Sequence, residues 1–187
     1  RVKSRLIMGD INHLSIFALA PQPLLIELGH LLSDIPAAQV YQLHREPPNW
    51  KWQEDTDKVE YVVQRPANID HKSVALILAL SAKITPDRIA NVLGSSAAIW
   101  TLTIAHPNND FLKSREHLSA FRKSFRTLMD VIKAEHGQNT LLHVFPAVPV
   151  SIAVEIGRVR MPKADLALRI YDQNSGTGGF TVAFDIV

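Results

Sequence analysis

The amino-acid sequence predicts an α/β protein of two fused Rossmann-type subdomains related by a pseudo-two-fold internal repeat. Three observations lead there. Residues 16–29 lie over residues 144–157 without a gap; Phe17/Phe145, Pro21/Pro149, Glu27/Glu155 and Gly29/Gly157 are identical, and four further pairs exchange Ile with Val or Leu. After the loss of a single residue, 40–45 lie over 167–172. Short apolar runs bounded by Pro and Gly also alternate with segments of helical periodicity, the pattern of a parallel sheet with crossover helices. The expected halves are residues 1–95 and 96–187. Similar halves leave a groove between them lined twice by the same loop, which suits a ligand that is itself pseudo-symmetric.

Residues 14–20 form an apolar run and predict a buried strand. Pro21 and Pro23 then open a helix, because proline is tolerated where its missing N–H has no partner anyway; Leu24, Leu25, Leu28, Leu31 and Leu32 recur at helical spacing, and residues 33–36 end it. Strands are predicted over 40–44, 60–64 and 74–80, the last uninterrupted in apolar character and so central. Pro86–Leu93 reads as a short helix closed by Gly94. A strand over 100–105 precedes the clearest helix, 112–136, where Leu118, Phe121, Phe125, Leu128 and Ile132 make one stripe and Gly137 the stop. The second copy follows as strand 141–145, helix Val150–Val159 and strand 164–171. A glycine-rich turn over 174–179 leads into a closing strand, 180–187.

Composition narrows the chemistry. The 187 residues are 47% hydrophobic and 20% charged, which is globular and not disordered. A net charge of +2 is too small to imply a polyanionic partner, so any basic patch is local. With no cysteine, disulfides, thiolate zinc sites and a Cys nucleophile are excluded, in keeping with a reducing cytoplasm. No apolar run reaches the roughly 18–20 residues of a membrane span. The chain begins without Met and reads as a domain of something longer.

In open α/β sheets ligands sit beyond the carboxyl ends of the strands, beside helix N-termini. Those positions are residues 18–22 and 146–151. Helix starts favour phosphate, but Pro21, Pro23, Pro146 and Pro149 remove donors, so shape and apolar selection gain weight. Gln42, His44 and Arg45 end one strand; Arg169, Tyr171 and Asp172 end its counterpart. Trp50 and Trp52 face one way on extended chain, either as a stacking platform for bases or as cover for the core's edge. Tyr171 and Asp172 either read a base edge or simply end a strand. Arg115, Arg122, Arg126 and Lys133 share one helix face, solvated or a contact surface. No phosphate-loop, HExxH or GxSxG pattern occurs, so neither a metal nor a cofactor is expected.

The segment His143-Val144-Phe145-Pro146-Ala147-Val148-Pro149, with Glu155-Ile156-Gly157-Arg158, Pro162-Lys163-Ala164-Asp165 and Ile170-Tyr171-Asp172, resembles the signature of SAVED domains. These are sensor domains of bacterial anti-phage CBASS effectors, built of two CARF-like units. The resemblance implies a cytoplasmic receptor for a cyclic di- or trinucleotide. It further implies that binding drives self-association and activates a fused N-terminal effector, through which alone DNA would be met. Residues 39–45 with the Trp50/Trp52 loop look most similar to the HNH endonuclease type, implying a cGAMP-type dinucleotide, with cyclic triadenylate as the alternative. By position, Phe17, Ala18 and Leu19 would line the groove opposite Phe145, Pro146 and Ala147. Gln42, Arg45, Trp50 and Trp52 would hold one base, and Tyr171 with Asp172 the other. Lys163 or His106 would meet phosphate. An enzyme that cleaves its cyclic ligand would use His44 or His106 as general base.

Overall fold

The apolar run around Leu76 forms the strand at the middle of the larger sheet in the computed structural model, which describes residues 2–33, 38–54, 57–174, 176 and 178–187. A short helix α1 (Val2–Ile7), not anticipated from sequence, leads into β1 (Leu14–Ile16), α2 (Gln22–Leu32) and β2 (Ala38–Val40). There follow β3 (Val62–Gln64), β4 (Ser73–Ala79), α3 (Pro86–Leu93), β5 (Ala97–Thr103) and α4 (Arg115–His136). The chain closes with β6 (Leu141–Ala147), α5 (Val150–Val159), β7 (Ala167–Gln173) and β8 (Phe180–Ile186). The helix stop expected at 34–36, and Ser175 and Thr177 of the glycine-rich turn, lie outside the described residues.

β1 and β2 form a two-stranded parallel sheet. The other strands form one six-stranded sheet in the order β3-β5-β4-β6-β7-β8, parallel in its middle and closed at both edges by antiparallel strands. The expected boundary at 95/96 falls between α3 and β5, and β1 and β2 lie outside the six-stranded sheet.

Helices cover the two faces unequally. On one, Leu76, Leu78, Trp100, Leu142 and Ile170 pack against Phe121, Phe125, Leu128 and Ile132 of α4 and Ile152 and Ile156 of α5 in the main core. On the other, the short helix α3 sits over Ile77, Phe145, Tyr171 and Phe180 through Ile89. α4 is held to its stripe by the Ser114 side chain, which accepts from His117 N–H at 3.3 Å and so satisfies an early helix donor.

The observed strands shift from the expected ones where pairing, not composition, sets their ends. β5 starts at Ala97 because Ala97–Ile99 already pair with Ser73–Ala75 of β4. β6 runs through Pro146 to Ala147, since β7 pairs with it only as far as Val144↔Ile170 and leaves one side of Pro146 without a ladder to break. β7 starts at Ala167, because Ala164 and Asp165 turn back to donate to the Met161 carbonyl at 3.0 and 2.9 Å. β1 and β2 are short, ending at Ile16 and Val40 before the residues that reach the site.

Candidate functional site

The helix starts of α2 and α5 are brought together by two glutamines from the N-terminal part of the chain. Neither helix has a side-chain cap of its own, their N-caps being Pro21 and Pro149. Gln22 Oε1 accepts from Val148 N–H at 3.2 Å. Gln42 Oε1 accepts from Ser151 N–H at 3.2 Å and from Ser151 Oγ–H at 2.7 Å, and its Nε2 donates to the Leu43 carbonyl at 2.9 Å. Gln42 therefore caps α5 from outside that helix, a task that normally falls to a residue one position before it.

Beside these bridges lies a cavity of about 470 Å³. One wall is Leu19 and the run Gln42, Leu43, His44 and Arg45; the other is Val148, Pro149 and Val150, with Pro48 and Asn109 at its margin. It opens where β4 and β6 end, at the point from which the strand order runs outward in both directions. There Leu80 and Ser81 N–H both donate to the Ala147 carbonyl, at 3.0 and 2.7 Å. That is the switch point at which open α/β sheets take ligands.

The lining is apolar on the α5 side and polar on the 42–45 side. Arg45 is its exposed cation. His44 is 5% exposed, its backbone N–H donates to Asn49 O at 2.9 Å, and its ring meets Trp52 edge-on at 5.9 Å between centroids. Burial lowers the His44 pKa, with Asp110 opposing, so the ring is neutral at pH 7. Its Nε2 is buried without a hydrogen-bond partner among the described residues, an arrangement that calls for a reason in a native fold. Such a pocket suits a flat heterocycle against Leu19, Val148 and Pro149 with an anionic group near Arg45.

The structure gathers only part of the expected set here. Leu19, Gln42, His44 and Arg45 line the cavity. Phe17 lies outside it, stacked on Tyr41 at 4.5 Å with Trp50 edge-on at 5.6 Å, while Ala18 packs against the main core. Trp50 and Trp52 do not form one platform: Trp50 goes to Phe17, whereas Trp52 packs against His44 and the core. The chain from Arg45 to Trp50 is bent, so the alternation of an extended strand does not apply. Phe145, Pro146 and Ala147 are buried in β6, and the lining passes to the next three residues because that strand runs on. Tyr171 is 2% exposed, stacked on Phe145 at 4.3 Å and within 2.9 Å of His143 Nδ1, on the face covered by α3; Asp172 pairs with Thr181 at the far side of the sheet. His106 is exposed, and its carbonyl accepts from Asn108 Nδ2 at 2.8 Å. Lys163 lines a different cleft.

Val148, Pro149 and Val150 were within the loop the sequence marked but not among its chosen residues; the signal was the second proline at a helix start. Among the described residues no three His, Asp or Glu side chains are placed to hold a metal, and no helix is long and apolar enough to cross a membrane.

The fold is that of known receptors. The Acinetobacter baumannii Cap4 SAVED/CARF-domain containing receptor with the cyclic trinucleotide 2'3'3'-cAAA aligns at a TM-score of 0.63 and 14% identity, over 99% of this chain and 42% of that one. The same receptor with 3'3'3'-cAAA aligns at 0.63 and 17%, over 99% and 42%. The Moraxella osloensis Cap4 SAVED/CARF-domain containing receptor aligns at 0.59 and 13%, over 100% and 41%. The chain thus spans about two fifths of the length of these receptors. No curated protein matches it in sequence. The profile of SAVED, the SMODS-associated and fused to various effectors sensor domain, matches residues 2–186, and the chain belongs to that family.

Proposed function

We propose that this domain is a receptor for a cyclic oligonucleotide, which it takes in the cavity between Leu19 and Gln42–Arg45 on one side and Val148–Val150 on the other. The observation that carries this reading is the convergence of the α2 and α5 starts, joined by Gln22 and Gln42, on one concave site at the strand ends. The unpartnered Nε2 of His44 adds to it, as a group that a bound base or ribose would supply with a hydrogen bond. We favour a cGAMP-type dinucleotide, from the similarity of residues 39–45 and the tryptophan loop to HNH endonuclease–SAVED proteins. In the same reading the two units descend from one CARF-like repeat, and ligand drives self-association and switches on a fused DNA endonuclease in the cytoplasm. The cyclic trinucleotides in the similar Acinetobacter receptor support a second ligand choice, cyclic triadenylate.

Calorimetric titration with a panel of cyclic di- and trinucleotides of defined linkage tests this. Saturable binding of one member, weakened at least tenfold by Arg45→Ala, is the expected result. No binding by any member to the folded domain overturns it. Loss of intact ligand on incubation, followed by chromatography, would instead mark turnover, with His44 at the site.

A further inference from the structure

A cavity of about 970 Å³ lies away from that groove, where α2 and α5 end. Six cationic side chains line it: Arg122, Lys123 and Arg126 from α4, and Arg158, Arg160 and Lys163 from the end of α5 and the turn beyond. Three carboxylates face them. Glu155 pairs with Arg122 and Arg158 at 3.2 and 2.7 Å; Asp165 and Asp130 both pair with Arg126, at 2.5 and 2.6 Å. Among the described residues, Lys123 and Lys163 carry no ion pair.

The two helix C-termini account for only about one unit of negative charge between them. Positive charge therefore remains in excess in a chain whose total is only +2. Arg160 is the telling residue. It is 4% exposed, its Nε donates to the Leu166 carbonyl at 3.1 Å, and its Nη1 is buried with no hydrogen-bond partner among the described residues. A buried guanidinium donor left unpaired is costly, and an anion entering the cleft removes that cost. Burial lowers the Arg160 pKa, with Asp165 opposing, so its charge is held at a desolvation cost that a bound anion would offset. Val159, Met161, Pro162 and Ala164 add an apolar stretch of wall large enough for a ring, with Ser33 and Ser119 among the remaining lining.

We infer that this cleft is a second binding site, independent of the groove, for a molecule carrying several phosphates on an apolar or aromatic body, of the nucleoside triphosphate class. The phosphates meet Lys123, Lys163 and Arg160, and the base lies on Met161 and Pro162.

Equilibrium dialysis or calorimetry of the whole domain against inorganic tripolyphosphate, ATP and GTP tests it, with Lys123→Glu/Lys163→Glu as the variant. Both lysines are exposed, so an unchanged thermal midpoint certifies folding. Expected are saturable binding of a nucleoside triphosphate, at least fivefold weaker binding of tripolyphosphate, and at least tenfold loss of both in the variant. No saturable binding overturns the proposal, as does equal binding to the variant. Equal affinity for tripolyphosphate and the nucleotides overturns the role of the apolar wall. Binding of duplex DNA but of none of the small probes, lost in the variant, replaces the ligand with a nucleic-acid backbone. A groove variant, Arg45→Ala, that lowers cyclic nucleotide affinity but not triphosphate affinity keeps the two sites separate.

Discussion

Gly29 of α2 and Gly157 of α5 each lie against the other helix's backbone. A Cβ on Gly29 would stand 1.9 Å from the Val154 carbonyl oxygen, and one on Gly157 would stand 2.0 Å from that of Ile26. Ile26 and Val154 are matched to one another in the sequence repeat, as are the two glycines, so the contact is reciprocal. Alanine is the better helix former by about 1 kcal/mol, yet here its methyl group meets backbone that cannot rotate away. Gly29→Ala and Gly157→Ala should each lower stability by about 2 kcal/mol or more, read as a lower urea midpoint. A neutral or stabilising effect at either position would contradict the crossing.

Gln42→Ala leaves the Ser151 N–H and hydroxyl without their acceptor at the start of α5. A stability loss of about 1–2 kcal/mol is expected. In a double-mutant cycle with Ser151→Ala, a coupling of about 0.5–1.5 kcal/mol should appear. Additivity of the two changes would mean that the bridge contributes nothing.

The two tryptophans should separate. Trp52→Ala removes a ring packed on the core and on His44, and should cost about 2–4 kcal/mol. Trp50→Ala, which removes an edge contact to the exposed Phe17, should change stability by less than about 1 kcal/mol. Chemical denaturation of both variants decides; equal losses would restore the shared platform.

Acid should act on Asp165. Burial alone would raise its pKa, but the two-pronged Arg126 contact, at 2.6 and 2.5 Å, and the Met161 N–H at 2.7 Å hold it below the ordinary value of 3.8. Since the folded value is depressed, this stabilisation is complete above about pH 4 and is lost as pH falls through the lowered value. Asp165→Asn should therefore destabilise at pH 7 and flatten the acid limb of stability against pH. An unchanged acid limb would refute this.

The neutral histidines act at a higher pH. Burial lowers the pKa values of His44, His136 and His143 below 6.5. The unfolded chain then binds more protons as pH falls through 6.5, so stability should decline from there down to the folded values. Replacing His143 with Gln should shorten that decline, as followed by thermal unfolding between pH 7 and 5.

α3 and α5 have their expected bounds because local residues mark them, Pro86 and Gly94 for α3 and Pro149 at the start of α5. The ends of β5, β6 and β7 were not legible, since each is set by a partner strand distant in sequence. The same reason divides the site. The loops at residues 18–22 and 146–151 could be found from helix starts beside strand ends. Tyr171 could not be placed by matching it to its counterpart in the first half, because β7 gains β8 as an edge partner while β2 pairs only with β1. Lys163 lies apart from the groove for a related reason: the turn at Met161–Asp165 carries it to the opposite end of α5.

Because the acceptor that completes α5 belongs to residue 42, the C-terminal part of the chain does not own the first turn of that helix. A fragment starting after that residue would expose the Ser151 donors to water, and it would also lose the helix that lies on Gly157. The reverse holds within the intact chain. Whatever displaces Gln42 inside the groove loosens the same turn that presents Val150 to the groove, so wall and support move as one piece.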